Sequence, residues 1–147
     1  MLLLDTNHCS AILNGVPTVL NRLAEHPEDS ITICSIIMGE LIHMAAQSER
    51  QRTNFQCVQA LIDPTIVHPI DEDTAKIYGQ LKAAVFDRYA PKDRKQRRRT
   101  SIGNLGIGDN DLWIAATAIQ HHLTLVTADH DFARLQPLSD LAIDTWL

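Results

Sequence analysis

The sequence lacks the marks of a disulfide-stapled or zinc-stapled protein. Its three cysteines, Cys9, Cys34 and Cys57, are odd in number and form no Cys-x-x-Cys pair. The seven histidines show no zinc-type spacing with them. A disulfide framework and structural zinc are therefore excluded, and we expect reduced core thiols in a cytoplasmic protein.

Long apolar runs are also absent. No window reaches the ~18 apolar residues of a membrane span, and we expect no secretory leader because the chain enters a predicted strand directly. The glycine-rich segment 101–108 is not followed by Gly-Lys-Ser/Thr, which excludes a phosphate-binding P-loop. With no repeat and no linker, the 147 residues predict a single domain over 1–147.

Positive charge is scarce except in one segment. The chain carries a formal net charge of −5. One short run holds six basic residues against the single acid Asp93, namely Lys92, Arg94, Lys95, Arg97, Arg98 and Arg99. That run is therefore +5 and the rest of the chain −10. Because Pro91 and the run interrupt helical periodicity, the sequence predicts a basic loop insert at about residues 90–106.

What the sequence does have is an apolar strand followed at once by polar residues. Leu2, Leu3 and Leu4 form an uninterrupted apolar run, typical of a strand buried on both faces of a parallel sheet. Asp5-Thr6-Asn7 follows and suits a turn. Asp5 would then lie beyond the carboxyl end of a strand, where open α/β sheets bind ligands. The alternative is that Asp5 makes a local hydrogen bond to the next turn.

Strand and helix patterns alternate through the rest of the chain. Further strands are predicted at residues 31–34, 65–68, 123–126 and 141–144. Helical patterns fill the segments between them, with Ser35, Thr53 and either Asp71 or Asp73 as predicted N-caps. The pattern predicts an α/β fold, a three-layer α/β/α sandwich around a central, mainly parallel sheet.

Three further acids occupy positions related to that of Asp5. Asp129 follows the fourth predicted strand, and Glu40 lies one turn into the helix after the second, bordering its apolar face. Asp111 falls in the first turn of an apolar helix, where we expect Asp109 to be the cap and Asp111 to face the core. Asp131 is the predicted cap of the last helical turn, which leaves Asp129 freer. Glu40 read alone is equally a solvated edge residue.

The four acids are expected to meet at one edge of the sheet. In a parallel three-layer fold, all four positions lie at the carboxyl end of the strands. Crowded carboxylates repel, so they take up protons or recruit cations. Oxygen ligands without imidazole or thiolate favour Mg²⁺ or Mn²⁺. Residue types and spacing therefore predict a divalent-metal site.

Four motifs in order then resemble a known family. They are Leu-Leu-Leu-Asp-Thr-Asn, Ile-Met-Gly-Glu-Leu, Ile-Gly-Asp-Asn-Asp-Leu-Trp-Ile-Ala-Ala-Thr-Ala and Leu-Val-Thr-Ala-Asp-His-Asp-Phe. Together they resemble the PIN-domain ribonucleases, and among these the VapC-type toxins of toxin–antitoxin pairs. The resemblance implies a Mg²⁺- or Mn²⁺-dependent endoribonuclease leaving a 5′-phosphate and a 3′-hydroxyl, with an antitoxin partner and commonly a homodimer.

The resemblance also assigns roles by position. It implies that Asp5 and Asp111 are the chief metal ligands, that Glu40 is the second acidic position and that Asp129 is the fourth. Four polar neighbours match the edge of the family's site: Thr6, Asn7, Asn110 and Thr127. The basic insert departs from the family pattern and has three interpretations. It is a solvated loop, a contact for RNA phosphates or a docking point for an acidic antitoxin tail.

Three other functions remain alternatives. An aspartyl phosphatase or phosphotransferase would use Asp5 as nucleophile, but it wants a second Asp where Asn7 stands. A phospho-receiver domain needs an acceptor Asp after the third strand, where His68-Pro69 offers none. A PIN-like module that binds RNA or protein without cleavage is disfavoured by the complete set of acids.

Overall fold

The leucine run at the start of the chain forms the centre of a parallel sheet. The structure is a computed structural model and describes residues 1–26 and 31–147. Its five strands are β1 (Leu2–Leu4), β2 (Ile31–Cys34), β3 (Ile66–His68), β4 (Thr124–Val126) and β5 (Ala142–Asp144). All pairings are parallel, in the order β3-β2-β1-β4-β5. The predicted strands and parallel sheet are confirmed, with ends shifted by a residue at most.

The strand order reverses at β1, and this reversal positions the site. From β1 the chain builds β2 and β3 on one side and then crosses to β4 and β5 on the other. Leu3 pairs with Thr32 of β2 and with Leu125 of β4. The switch point therefore lies between β1 and β4, and the crevice beyond the carboxyl ends of the strands at such a point is where open α/β sheets bind ligands.

Helices flank the sheet and complete the predicted α/β/α arrangement. They are α1 (Thr6–Leu13), α2 (Pro17–Glu25), α3 (Ser35–Gln47), α4 (Gln51–Ile62), α5 (Glu72–Tyr89), α6 (Arg94–Arg99) and α7 (Asp109–Gln120). Short 3₁₀ turns occupy Gly103–Leu105, His130–Arg134 and Gln136–Leu138. Asp71 caps α5 through the backbone N–H groups of Asp73 and Thr74, as one of the two predicted alternatives.

The basic segment differs from the loop that the sequence predicts. Residues 94–99 are not loop but the helix α6, which Asp93 caps by accepting a hydrogen bond from the Gln96 N–H at 2.9 Å. A run of arginines has high helix propensity but no apolar period, so hydrophobic patterning could not reveal it. The insert therefore presents its charges on a regular surface.

The N-caps of α3 and α4 also differ from the predicted ones. Ser35 is the first residue of α3, whose N-cap is Cys34. Thr53 lies inside α4, which begins at Gln51. The sequence His-Pro-Glu-Asp-Ser at residues 26–30 predicts a loop, and of these residues only His26 lies within the part of the chain that the structure describes.

The core is built around α7 and the leucines of β1. Leu112, Ile114 and Ala115 are buried, as an apolar helix predicts. The thiols of Cys9 and Cys34 are buried, but Cys57 is exposed, so the prediction of core thiols is wrong for Cys57.

Two large apolar side chains of α3 and α4 lie at the surface. Met44 is 46% exposed and Phe55 47% exposed. Within residues 1–26 and 31–147, no helix combines the length and apolarity that crossing a membrane would demand.

Candidate active site at the carboxyl edge of the sheet

Asp5 lies directly beyond β1 and is almost completely buried, with 6% of its surface exposed. Its backbone N–H donates to the Val126 carbonyl at 3.0 Å, which continues the β1–β4 pairing past the end of the strand. Its side chain accepts hydrogen bonds from the Thr6 N–H at 2.6 Å and the Thr127 hydroxyl at 2.7 Å. The local hydrogen bond anticipated from sequence exists, since Asp5 caps α1, but Thr127 also ties it to β4.

The environment of Asp5 opposes its negative charge. Burial, which withdraws the carboxylate from water, raises the pKa of Asp5 above its ordinary value. Hydrogen bonds from Thr127 and Thr6 pull the pKa back down, and the charges of Glu40 and Asp129 raise it again. Two of the other predicted site acids are therefore close enough to act on Asp5.

Asp111 reaches the same place from the first turn of α7. Its Oδ2 accepts the Gly108 N–H at 3.1 Å, forming the side-chain half of a capping box. Burial raises the pKa of Asp111 to about 6, and the charges of Asp129, Asp5 and Glu40 add to the rise. The hydrogen bond from Gly108 lowers it by less than burial raises it.

Gly108 is a site residue that sequence reasoning missed. A Cβ at this position would stand 2.5 Å from Asp111 Oδ2, closer than real Cβ contacts allow. A glycine immediately before Asp-Asn-Asp was the available signal, because in this structure the Asp111 carboxylate occupies the space that a side chain at position 108 would fill.

Asp109 does not have the capping role predicted for it. The N-cap of α7 is Gly108. Asp109 instead accepts hydrogen bonds from the Tyr78 hydroxyl at 2.7 Å and Lys82 Nζ at 2.8 Å, both on α5. Lys82 holds the pKa of Asp109 below its ordinary value. These tertiary partners remove Asp109 from the cap and leave its charge neutralised.

Glu40 joins the first turns of α1 and α7. Its Oε2 accepts a short hydrogen bond from the Thr6 hydroxyl, and its Oε1 accepts one from Asn110 Nδ2 at 2.8 Å. The same side chain lines an open groove of about 600 Å³ with Thr6, Gly39 and Asn110. Glu40 is therefore held toward the crevice.

Asp129 and Asp131 exchange the roles predicted for them. Asp129 caps the His130–Arg134 turn by accepting the Asp131 N–H at 2.8 Å. Asp131 lies 3.7 Å from Arg134 and caps nothing. The cap does not remove Asp129 from the site, because its charge acts on both Asp5 and Asp111.

A single hydroxyl connects the two sides of the crevice. Thr127 Oγ1 donates to Asp5 Oδ2 and accepts the Asp129 N–H at 3.0 Å. Thr6, Asn110 and Thr127 thus contact carboxylates as predicted for polar neighbours. Asn7 is exposed, and its side chain forms no hydrogen bond with any described residue.

Asp5, Glu40, Asp111 and Asp129 are called the acidic cluster below. The donor set suits Mg²⁺ or Mn²⁺, because it consists of carboxylate oxygens assisted by hydroxyl and amide oxygens. In the part of the chain that the structure describes, no three His, Cys, Asp or Glu side chains form a coordination group as they stand. Each of the four carboxylates accepts a hydrogen bond from a nearby donor and keeps further oxygen lone pairs for a cation.

Comparisons with known proteins identify the family of the chain. The family model described as "PIN domain" matches residues 2–137. Ribonuclease VapC1 from Haemophilus influenzae is 26% identical over 146 residues, which cover 98% of this chain and 96% of the relative.

Solved structures show the same fold. DNA-bound VapBC from Salmonella typhimurium contains a chain with 26% identity and a TM-score of 0.80, covering 99% of this chain and 98% of that one. VapBC2 from Rickettsia felis, bound to a DNA fragment from its promoter, gives a TM-score of 0.80 at 24% identity, with the same coverage. The similarity therefore spans the sheet, the helices and the crevice.

Proposed function

Because this chain belongs to the PIN domain family, we propose that it is an endoribonuclease that hydrolyses RNA phosphodiester bonds. We further propose that it is the toxin of a toxin–antitoxin pair, neutralised by a cognate protein antitoxin. The similarity to ribonuclease VapC1 and to a chain of the Salmonella VapBC complex supports both statements, since it extends over nearly the whole of each chain.

The observation that carries this proposal is the convergence of buried negative charge at the β1–β4 switch point. Asp5 and Asp111 are far apart in the sequence, yet the charge of Asp5 raises the pKa of Asp111, and the charges of Glu40 and Asp129 raise the pKa of both. Keeping such carboxylates together costs stability. Carboxyl groups with perturbed pKa values cluster at functional sites, where catalysis or binding requires their charge.

The proposed cofactor is Mg²⁺ or Mn²⁺, held by Asp5, Asp111 and Glu40 with Asp129. When bound, such an ion supplies an activated water and offsets the charge that develops on a phosphodiester. The protein's own contribution is orientation. Thr127 and the Thr6 N–H hold Asp5, the Gly108 N–H holds Asp111, and Asn110 holds Glu40.

The remaining proposals concern setting and assembly. We place the protein in the cytoplasm, supported by three cysteines that all remain free thiols. The homodimer is carried over from the family resemblance.

The direct test is cleavage of labelled single-stranded RNA in the presence of Mn²⁺ or Mg²⁺ and in the presence of a chelator. We expect cleavage that needs the metal and disappears in Asp5→Asn. Asp140→Asn is the matched control, because Asp140 is exposed and its substitution removes the same charge at a position outside the acidic cluster. RNA that stays intact with either metal, but still binds, would favour the non-cleaving module.

A further inference from the structure

The helix α6 carries five cations, and only one of them forms an ion pair with a described residue. Arg97 faces α5, where its guanidinium forms an ion pair with Asp87. Four other cations, Arg94, Lys95, Arg98 and Arg99, are exposed and form no ion pair with any residue in the described ranges. We call these four residues the basic face.

Helical geometry makes the basic face a compact double row. Arg94 and Arg98 are four residues apart, as are Lys95 and Arg99, so each pair lies on one side of the helix. A rise of about 1.5 Å per residue separates the members of a pair by roughly 6 Å along the axis. The spacing is comparable to that of successive phosphates along an extended strand.

The segment that carries the basic face is attached on both sides to the turn that Asp129 caps. Arg134 Nη1 donates to the Leu105 carbonyl at 2.9 Å, and the Arg134 carbonyl accepts the Tyr89 hydroxyl at 2.9 Å. Arg134 thereby joins the end of α5 and the segment before Gly108 to the turn that Asp129 caps. The basic face is thus attached to the same end of the molecule as the site.

The chemistry of α6 suits a phosphate backbone better than a protein. None of its residues is buried, and a docked peptide draws its affinity from apolar anchors packed into desolvated pockets. Phosphate binding needs exposed cations alone, because its free energy comes from releasing counterions. The rest of the chain carries −10 and repels a polyanion, so affinity must come from a local positive surface.

We propose that the basic face of α6 binds the phosphate backbone of single-stranded RNA and holds the strand beside the acidic cluster. This proposal rests on the proposed nuclease function, because it makes the bound strand the substrate of that site. The contact reads no sequence, since phosphates are the same at every nucleotide.

The test measures how the affinity for RNA depends on salt. A short fluorescent single-stranded RNA of mixed sequence is titrated with the full chain over a series of KCl concentrations, in an Asp5→Asn background that prevents cleavage. The test variant is Arg94→Gln/Arg98→Gln. The matched control is Arg50→Gln/Arg52→Gln, which removes the same charge from exposed positions at the start of α4.

We expect the slope of log affinity against log salt to fall by about 1.4 in the test variant, as two lost phosphate contacts require. The affinity at low salt should fall on the order of tenfold, and the control should match the parent. An unchanged slope in the test variant overturns the proposal. An equal fall in both variants overturns it too, because the effect would then be one of overall charge.

A parallel titration with a poly-glutamate peptide separates the other class of partner. If Arg94→Gln/Arg98→Gln weakens peptide binding and leaves RNA binding intact, the basic face serves an acidic protein segment and the RNA proposal is wrong. Cleavage by the unaltered chain together with an unchanged salt slope refutes this inference alone. A reduced slope without any cleavage refutes the nuclease function and leaves the backbone contact standing.

Discussion

The acidic cluster and the basic face hold charge in opposite ways. The four carboxylates are confined in a crevice, and each accepts hydrogen bonds from residues that fix its orientation. The four cations of the basic face are exposed on a single short helix and form no ion pair with any described residue. The acidic cluster lowers the stability of the fold but holds its carboxylates in a defined geometry. The basic face has little effect on stability and provides only a local positive potential. Substitutions should therefore damage chemistry at one and affinity at the other.

The largest effect is expected at the buried end of this comparison. Asp5→Asn keeps the side chain's size but removes the charge between β1 and β4. We expect RNA cleavage to fall by about 10³-fold, the order seen when a key electrostatic group is lost, while the fold survives. Cleavage rate and thermal unfolding measure the two effects, with Asp140→Asn as control. Full turnover in a folded Asp5→Asn variant would end the assignment.

Gly108→Ala tests whether orientation matters as much as charge. The new Cβ would stand 2.5 Å from Asp111 Oδ2, so the carboxylate must move. A displacement of about 1 Å at a reacting group costs on the order of 10²-fold in rate, and we expect a loss of that size. Gly79→Ala in α5 is the control, because its Cβ meets nothing within 4 Å. Equal cleavage rates for the two alanine variants would show that the hydrogen bond from Gly108 is dispensable.

The stability cost of the acidic cluster has a predictable pH dependence. Burial raises the pKa of Asp111 from 3.8 to about 6, so the folded chain holds this proton more tightly than the unfolded chain does. Ionisation therefore lowers the free energy of unfolding as pH rises from 3.8 to about 6, and the loss persists above that range.

We accordingly expect metal-free Asp111→Asn to be more stable than the parent above pH 6, by about 1 kcal/mol once solvent screening is allowed for. The difference should vanish near pH 4. Thermal unfolding in chelator at several pH values measures it. A difference that stayed constant across the series would contradict the assigned cause.

The smallest effect, a change in the free energy of unfolding, is expected for substitutions in the exposed basic face. Arg94→Gln/Arg98→Gln removes two cations without ionic partners, so the free energy of unfolding should change by less than about 0.5 kcal/mol. Urea unfolding of the full chain measures the change. A destabilisation of 2 kcal/mol or more, on the scale of buried contacts, would mean that α6 supports the fold and that the contrast with the acidic cluster is false.

The part of the candidate site that depends on strand topology could be predicted from the sequence. Asp5 immediately follows β1, and Asp129 lies three residues after the end of β4. The carboxyl ends of parallel strands lie at one edge of the sheet, which brings these two acids together. The approach of Glu40 and Asp111 followed from the same argument. No side-chain contact was needed to predict which acids meet.

The sequence did not reveal choices made by tertiary partners. Asp109 and Asp111 are equally good caps in isolation, and Tyr78 and Lys82, far away on α5, decide between them. Asp129 and Asp131 present the same ambiguity. The helix α6 was invisible because its turns have no apolar side to give a period. In each case the deciding contact is distant in sequence or purely electrostatic.

The bond between Thr127 and Asp5 joins residues 122 positions apart, and this separation has a consequence for synthesis. While the chain is being synthesised, β1 emerges before β4, so Asp5 at first lacks the Thr127 hydroxyl that orients it. The acidic cluster can therefore assemble in this form only after β4 has joined the sheet beside β1. A partial chain that ends before Thr127 cannot make this contact.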